Sequence, residues 1–181
     1  MILRRLLLSD VDDILEWMKD EEITRFFRNN FESKTKQDIE TFINSSFTND
    51  NQHFAISSDE GIYLGTISLK NIDYISKNAE YAIVLTRESL GQNVAKTATD
   101  YILSYAFFVL NLEKIYLNVA STNLRAISFY KKYGFIFEGK FAFHVFIGSE
   151  FCNLEWYSIF KKDFSNKNYN IDSNMKMVKY I

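Results

Sequence analysis

The stretch that most constrains this chain lies between residues 80 and 119, where the hydrophobic period changes twice. Glu80 to Leu85 reads as a short strand, and Thr86 to Gln92 follows as a loop of mostly small and polar residues. From Asn93 to Asn111 the apolar residues Val94, Ala98, Tyr101, Ile102, Tyr105, Val109 and Leu110 recur at helical spacing, which makes the longest helix. Lys114 to Val119 is a strand again. A crossover of this kind is right-handed, so the strands at 80 to 85 and 114 to 119 are expected to lie parallel in one sheet. The chain is therefore of the α/β class.

The flanking sequence supplies the rest of a single domain, assigned here to residues 1–162. Ile2 to Leu6 reads as a strand, and Ser9 with Asp12 looks like a capping pair ahead of Val11, Ile14, Leu15 and Met18. Thr35 with Asp38 repeats the signal ahead of Ile39, Phe42, Ile43 and Phe47. His53 to Ser57 and Ile62 to Lys70 form an expected hairpin. Ala126, Phe129, Tyr130 and Tyr133 give a further helix, stopped by Gly134. Phe135 to Phe146 and Phe151 to Phe160 close the domain as a long hairpin around Gly148. Residues 163–181 read as a polar tail, either disordered or docked.

Composition narrows the function. With 181 residues, 47% hydrophobic and 24% charged, the chain is an ordinary globular protein. Its formal charge of −2 gives no general reason to bind nucleic acid or an anionic membrane, so any anionic ligand must be held locally. No run approaches the ~18 apolar residues of a membrane span, and the single cysteine, Cys152, suits a reducing compartment, so a cytoplasmic location is expected. His53 and His144 lack partners at metal-ligand spacing, and no metal site is expected. Gly-x-Ser-x-Gly, the P-loop and Gly-x-Gly-x-x-Gly are all missing. The acidic runs Asp10 to Asp13 and Asp20 to Glu22 read as solvated helix faces.

The loop from Thr86 to Lys96 is different, because a strand that feeds a loop onto a helix N-terminus gathers free backbone N–H groups in positive potential. A pyrophosphate fits there. The following segment, Asn123-Leu124-Arg125-Ala126-Ile127-Ser128-Phe129-Tyr130-Lys131-Lys132-Tyr133-Gly134-Phe135, resembles the second signature of the GNAT family of N-acetyltransferases, Asn-x-x-Ala-x-x-x-Tyr-x-x-x-Gly-Phe. Leu90 to Ala95 stands where that family carries its acetyl-CoA loop, Gln/Arg-x-x-Gly-x-Gly/Ala. It departs from the pattern at Leu90 and at Asn93, which replaces the middle glycine. Asn tolerates positive φ better than other non-glycine residues, so Asn93 can still make the turn.

The resemblance implies the GNAT acyltransferase fold, a central mixed, mostly antiparallel sheet with two splayed parallel strands and flanking helices. It also implies acetyl-CoA as co-substrate and direct attack of an amine on the thioester. In that reading the backbone of Ile83, Val84 and Leu85 pairs with the pantetheine arm, and a backbone N–H near Val84 stabilises the oxyanion. Gly91, Gln92, Asn93, Val94, Ala95 and Lys96 cradle the pyrophosphate, and Asn123 hydrogen-bonds the cofactor beyond the thioester. Tyr130 is the acid for the departing thiolate, and Glu80 is the candidate base, since Asn118 stands where a fifth-strand glutamate often serves.

The acceptor amine is left open. The whole chain looks like the RimJ/RimL branch, which acetylates ribosomal protein N-termini. A second subgroup acetylates nucleotide-linked amino sugars, and Gly61 to Gly65 with the aromatic and arginine residues upstream is similar to it. A small-molecule or sugar-nucleotide amine is placed ahead of a protein N-terminus, with an acetyl-CoA-binding regulatory domain as the non-catalytic alternative. The expected assembly is a monomer or homodimer.

Overall fold

The computed structural model describes residues 1–28 and 31–165. Strand β1 (Ile2–Arg5) leads through a single 3-10 turn at Leu8–Asp10 into helix α1 (Val11–Met18), followed by the short α2 (Glu21–Thr24) and by α3 (Lys36–Asn44). A meander of β2 (Gln52–Ser57), β3 (Tyr63–Asp73) and β4 (Asn78–Leu85) comes next, then α4 (Val94–Ser104), β5 (Lys114–Ala120) and α5 (Leu124–Tyr133). The hairpin β6 (Ile136–Ile147) and β7 (Glu150–Phe160) and the short α6 (Lys161–Ser165) complete the described chain.

These form one seven-stranded sheet in the order β1-β2-β3-β4-β5-β7-β6. Every neighbouring pair is antiparallel except β4 with β5, so the expected mixed, mostly antiparallel sheet is what the chain forms. β7, and not β6, lies against β5. The two faces of the sheet carry separate cores. Leu69, Tyr81, Ile115, Leu117 and Tyr157 pack under α4 and α5, whereas Ala55, Tyr63 and Val84 pack under α1 and α3 with Ile14, Trp17, Ile39 and Ile43. Each fully buried aliphatic or Phe side chain contributes roughly 1.5–3 kcal/mol of transfer energy, which fixes which face of each strand turns inward.

Local chemistry corrects the sequence reading in several places. The entry to α1 is not capped by Ser9. Asp10 accepts the Leu7 N–H at 2.8 Å while its two oxygens each meet Arg4 at 2.7 Å, so a buried carboxylate ties the turn to β1. Thr35 and Asp38 do form the capping box of α3. The acidic run at residue 20 is partly structural, because Asp20 caps α2 through the Glu22 N–H at 2.9 Å. The long helix is α-helical only to Ser104 and widens into a π turn over Tyr105–Val109, where Leu110 N–H donates to the Tyr105 carbonyl. Tyr105 in that turn donates to Gln52 on β2 at 2.9 Å. Gly134, at φ 112°, ends α5 as expected. The folded chain continues past residue 162, since Phe164 is buried against Phe107. The expectations for residues 166–181 lie outside the described residues.

Candidate active site

The parallel pair β4 and β5 is joined by only three register positions, Asn78 to Lys114, Ala79 to Ile115 and Glu80 to Tyr116. Beyond them β4 follows β3 as far as Leu85 opposite Gly65, and β5 follows β7 as far as Ala120 opposite Leu154. A V opens between the two strands. Gly65 draws β4 toward β3, since a Cβ built there would lie 2.2 Å from the Val84 carbonyl oxygen and 2.9 Å from the Leu85 Cα. Only a glycine permits that approach. Along the opened edge the backbone groups of β4 that face β5, within the segment containing Ile83, Val84 and Leu85, have no strand partner among the described residues. An added strand-like ligand fits such an edge.

The loop above the V closes onto α4 through two left-handed residues, Gly91 at φ 81° and Asn93 at φ 63°. Asn93 does not cap the helix with its side chain. The first intrahelical bond at this end runs from the Thr97 N–H to the Asn93 carbonyl at 3.2 Å, so the N–H groups of Val94, Ala95 and Lys96 precede the ladder and are left for a ligand. Gln92 bends back to donate to the Glu88 carbonyl at 2.7 Å, which steadies the loop. Lys96 is paired with Asp100 at 2.9 Å and so adds little free charge. These features fit a pyrophosphate held by main-chain dipoles.

Tyr130 points from α5 into the core beneath the V, where Tyr81, Phe129 and Phe135 surround it with ring centroids at 6.1, 5.5 and 5.6 Å. No hydrogen-bond partner meets its hydroxyl among the described residues. Burial pushes the phenol pKa up, so the group keeps its proton and can donate it. Asn123 opens the same helix, and its Oδ1 accepts the Ala126 N–H at 3.2 Å. The asparagine is therefore first a helix cap, with its amide N–H₂ available to a ligand.

Glu80 sits at the apex of the V on the opposite face of the sheet, the one that α1 and α3 cover over the earlier strands. Its Oε1 pairs with Lys70 Nζ at 2.7 Å and accepts from Asn118 Nδ2 at 3.4 Å, and its Oε2 accepts from Asn71 Nδ2 at 3.0 Å. Tyr116 lies beside it, its pKa raised by burial, by Glu80 and by Asp73. Lys70, Asn71 and Tyr116 were not singled out from the sequence. The only signal for Lys70 was its place in a hairpin with β4, where the register sets it opposite Glu80. Glu80 and Val84 are four residues apart, about 13 Å along an extended strand.

Residues 1–136 match the family model described as an acetyltransferase (GNAT) domain. The chain belongs to the GNAT acetyltransferase family. It is thus an acetyl-CoA-dependent N-acetyltransferase, as the resemblance implied. The GNAT chain is similar to spermidine N(1)-acetyltransferase of Vibrio cholerae, with 31% identity over 119 residues, 66% of this chain and 69% of that protein. The Escherichia coli enzyme of the same name is 33% identical over 113 residues, 62% of this chain and 60% of that protein. The solved structure of the Vibrio cholerae spermidine N-acetyltransferase in complex with CoA and spermine superposes with a TM-score of 0.84 and 27% identity, covering 91% of this chain and 97% of that one. These matches do not carry the narrower RimJ/RimL placement, and they lend no support to a sugar-nucleotide acceptor.

Proposed function

We propose that this GNAT chain acetylates a primary amine of a polyamine of the spermidine type. The observation that carries the reading is the match, over 91% of the chain, to a spermidine N-acetyltransferase structure holding CoA and spermine.

Acetyl-CoA supplies the activated acetyl group. In this reading the unpaired edge at Ile83 to Leu85 orients the thioester arm, and Gly91 to Lys96 hold the pyrophosphate with backbone N–H groups. Asn123 supports the arm through its amide while capping α5. Tyr130 holds a proton on its hydroxyl for the departing sulfur, and a β4 backbone N–H near Val84 faces the developing oxyanion. Glu80 is too far along the strand from Val84 to take the amine proton directly. It accepts it through ordered water, with Lys70, Asn71 and Asn118 fixing the carboxylate.

The test is an acetyl-CoA consumption assay against spermidine, spermine, short diamines, amino-sugar nucleotides and N-terminal peptides. Polyamines are expected to be turned over selectively. Turnover confined to peptides or sugar nucleotides would overturn the reading.

A further inference from the structure

The face of the sheet that carries Glu80 is covered by α1 and α3 only as far as β4. The cluster under those helices draws on Leu6, Ala55, Tyr63 and Val84, and it includes no residue of β5, β6 or β7. On those later strands the same face bears a row of rings. Tyr116 stands opposite Glu80 in register, and Trp156 stands opposite Asn118, whose amide reaches Glu80 at 3.4 Å. The Tyr116 and Trp156 centroids are 6.0 Å apart, and Trp156 and Phe141 are 5.7 Å apart. Phe141 is 51% exposed. Three aromatic side chains from three adjacent strands thus form a line that begins at the apex of the V and runs out to solvent.

The cofactor loop, Asn123 and Tyr130 belong to the other face, with α4 and α5. An amine that meets the thioester from the Glu80 side therefore has its remaining chain to place, and the ring line is the uncovered surface in that direction. Its chemistry suits a chain that alternates methylene runs with ammonium groups, since ring faces pack against methylenes and attract cations.

Resting on the polyamine reading above, we propose that Tyr116, Trp156 and Phe141 are the acceptor-specificity residues, with Trp156 at the centre of a track for the distal part of the polyamine. The indole Nε1 is buried without a partner, and it plays no part in this assignment, because an ammonium offers it no lone pair. Ring and N–H can therefore be separated by substitution.

The experiment measures steady-state kinetics of Trp156→Ala, Trp156→Phe and Phe141→Ala with spermidine and with butylamine, together with acetyl-CoA affinity by calorimetry. Trp156→Ala is expected to raise KM for spermidine about 5- to 30-fold, the equivalent of a single ring contact between its exposed and its desolvated strength. KM for butylamine, which has no distal amine to place on the rings, and acetyl-CoA affinity should stay within about twofold of wild type. Trp156→Phe should retain most of the spermidine KM, and the half-exposed Phe141→Ala, which does not risk the fold, should raise it about 2- to 5-fold. An unchanged spermidine KM in both alanine variants would overturn the assignment while leaving the polyamine reading in place. Equal losses in Trp156→Phe and Trp156→Ala would also overturn it, because a phenyl ring keeps the aromatic face that the track requires. A wild-type protein inactive on every polyamine but active on another amine would defeat the polyamine reading and the track with it.

Discussion

Tyr130 has a hydroxyl that the surrounding rings desolvate and nothing in the described chain satisfies, as the proposed acid role requires. Tyr130→Phe should lower kcat about 10- to 1000-fold and leave acetyl-CoA affinity nearly intact. Because the lost hydroxyl had no partner, its melting temperature should hold or rise slightly, which separates catalysis from folding in one variant. His53 shows the opposite case. It is half-buried between α3 and the sheet, bonded to Ser68 at 2.8 Å, and desolvation with Lys70 nearby pushes its pKa down to about 4. The unfolded chain takes up the proton near pH 6.5 and the folded chain only near 4, so His53 should cost about 3 kcal/mol of stability as pH falls across that window and nothing above it. Denaturant titrations from pH 7 to 4 check this, and His53→Gln should flatten the slope. The place of Tyr130 on the inner face of α5 could be read from sequence because its helical spacing and the Gly-Phe that follows are local. The partners of Glu80 could not, because Lys70, Asn71 and Asn118 reach it only through strand register.

The loop ahead of α4 and the bent fourth strand each turn on a residue with an unusual backbone. Asn93 sits in the left-handed region at the N-terminus of α4, which costs a side chain other than Gly or Asn about 1–2 kcal/mol. Asn93→Gly should therefore be neutral or tighten acetyl-CoA binding, and Asn93→Ala should weaken both binding and stability. Gly65 is the less obvious of the two. Gly65→Ala pushes against the Val84 carbonyl and should loosen acetyl-CoA binding as well as lower the melting temperature, whereas an Ala at the open Gly61 position should not affect binding. Isothermal titration with each variant decides it. Asn93 was legible as a tolerated departure from a motif, since φ preference belongs to the residue itself. Gly65 was not, because its role exists only once β3 lies against β4. The π turn after Ser104 escaped for a related reason, as a helical period of apolar residues does not report one extra residue in a turn.

At the scale of the whole molecule, two antiparallel blocks, β1 to β4 and β5 to β7, meet at three register positions, and little else in the sheet joins them. The α class of the insert and the parallel pairing were readable from the change of period between residues 80 and 119. The placement of β7 beside β5 was not, because either strand of the last hairpin satisfies the same alternation. A second tie crosses from the N-terminal helices to the loop ahead of α4: Arg87, at the start of that loop, grips Asp20 at the cap of α2 at 2.7 and 2.8 Å. Asp20→Asn should raise KM for acetyl-CoA and for the amine together by a few fold, and high salt should mimic it in the wild type. The open edge of β4 leads to a broader expectation. Acetyl-CoA laid along Ile83 to Leu85, as proposed above, would serve as a removable eighth strand, so amides in this segment should exchange quickly in the free protein and slowly in the bound one. The enzyme's resistance to heat then becomes a gauge of its surroundings: at a hundredfold excess over Kd the bound strand adds about 2.7 kcal/mol, and a cell that exhausts its acetyl-CoA leaves this protein softer as well as idle.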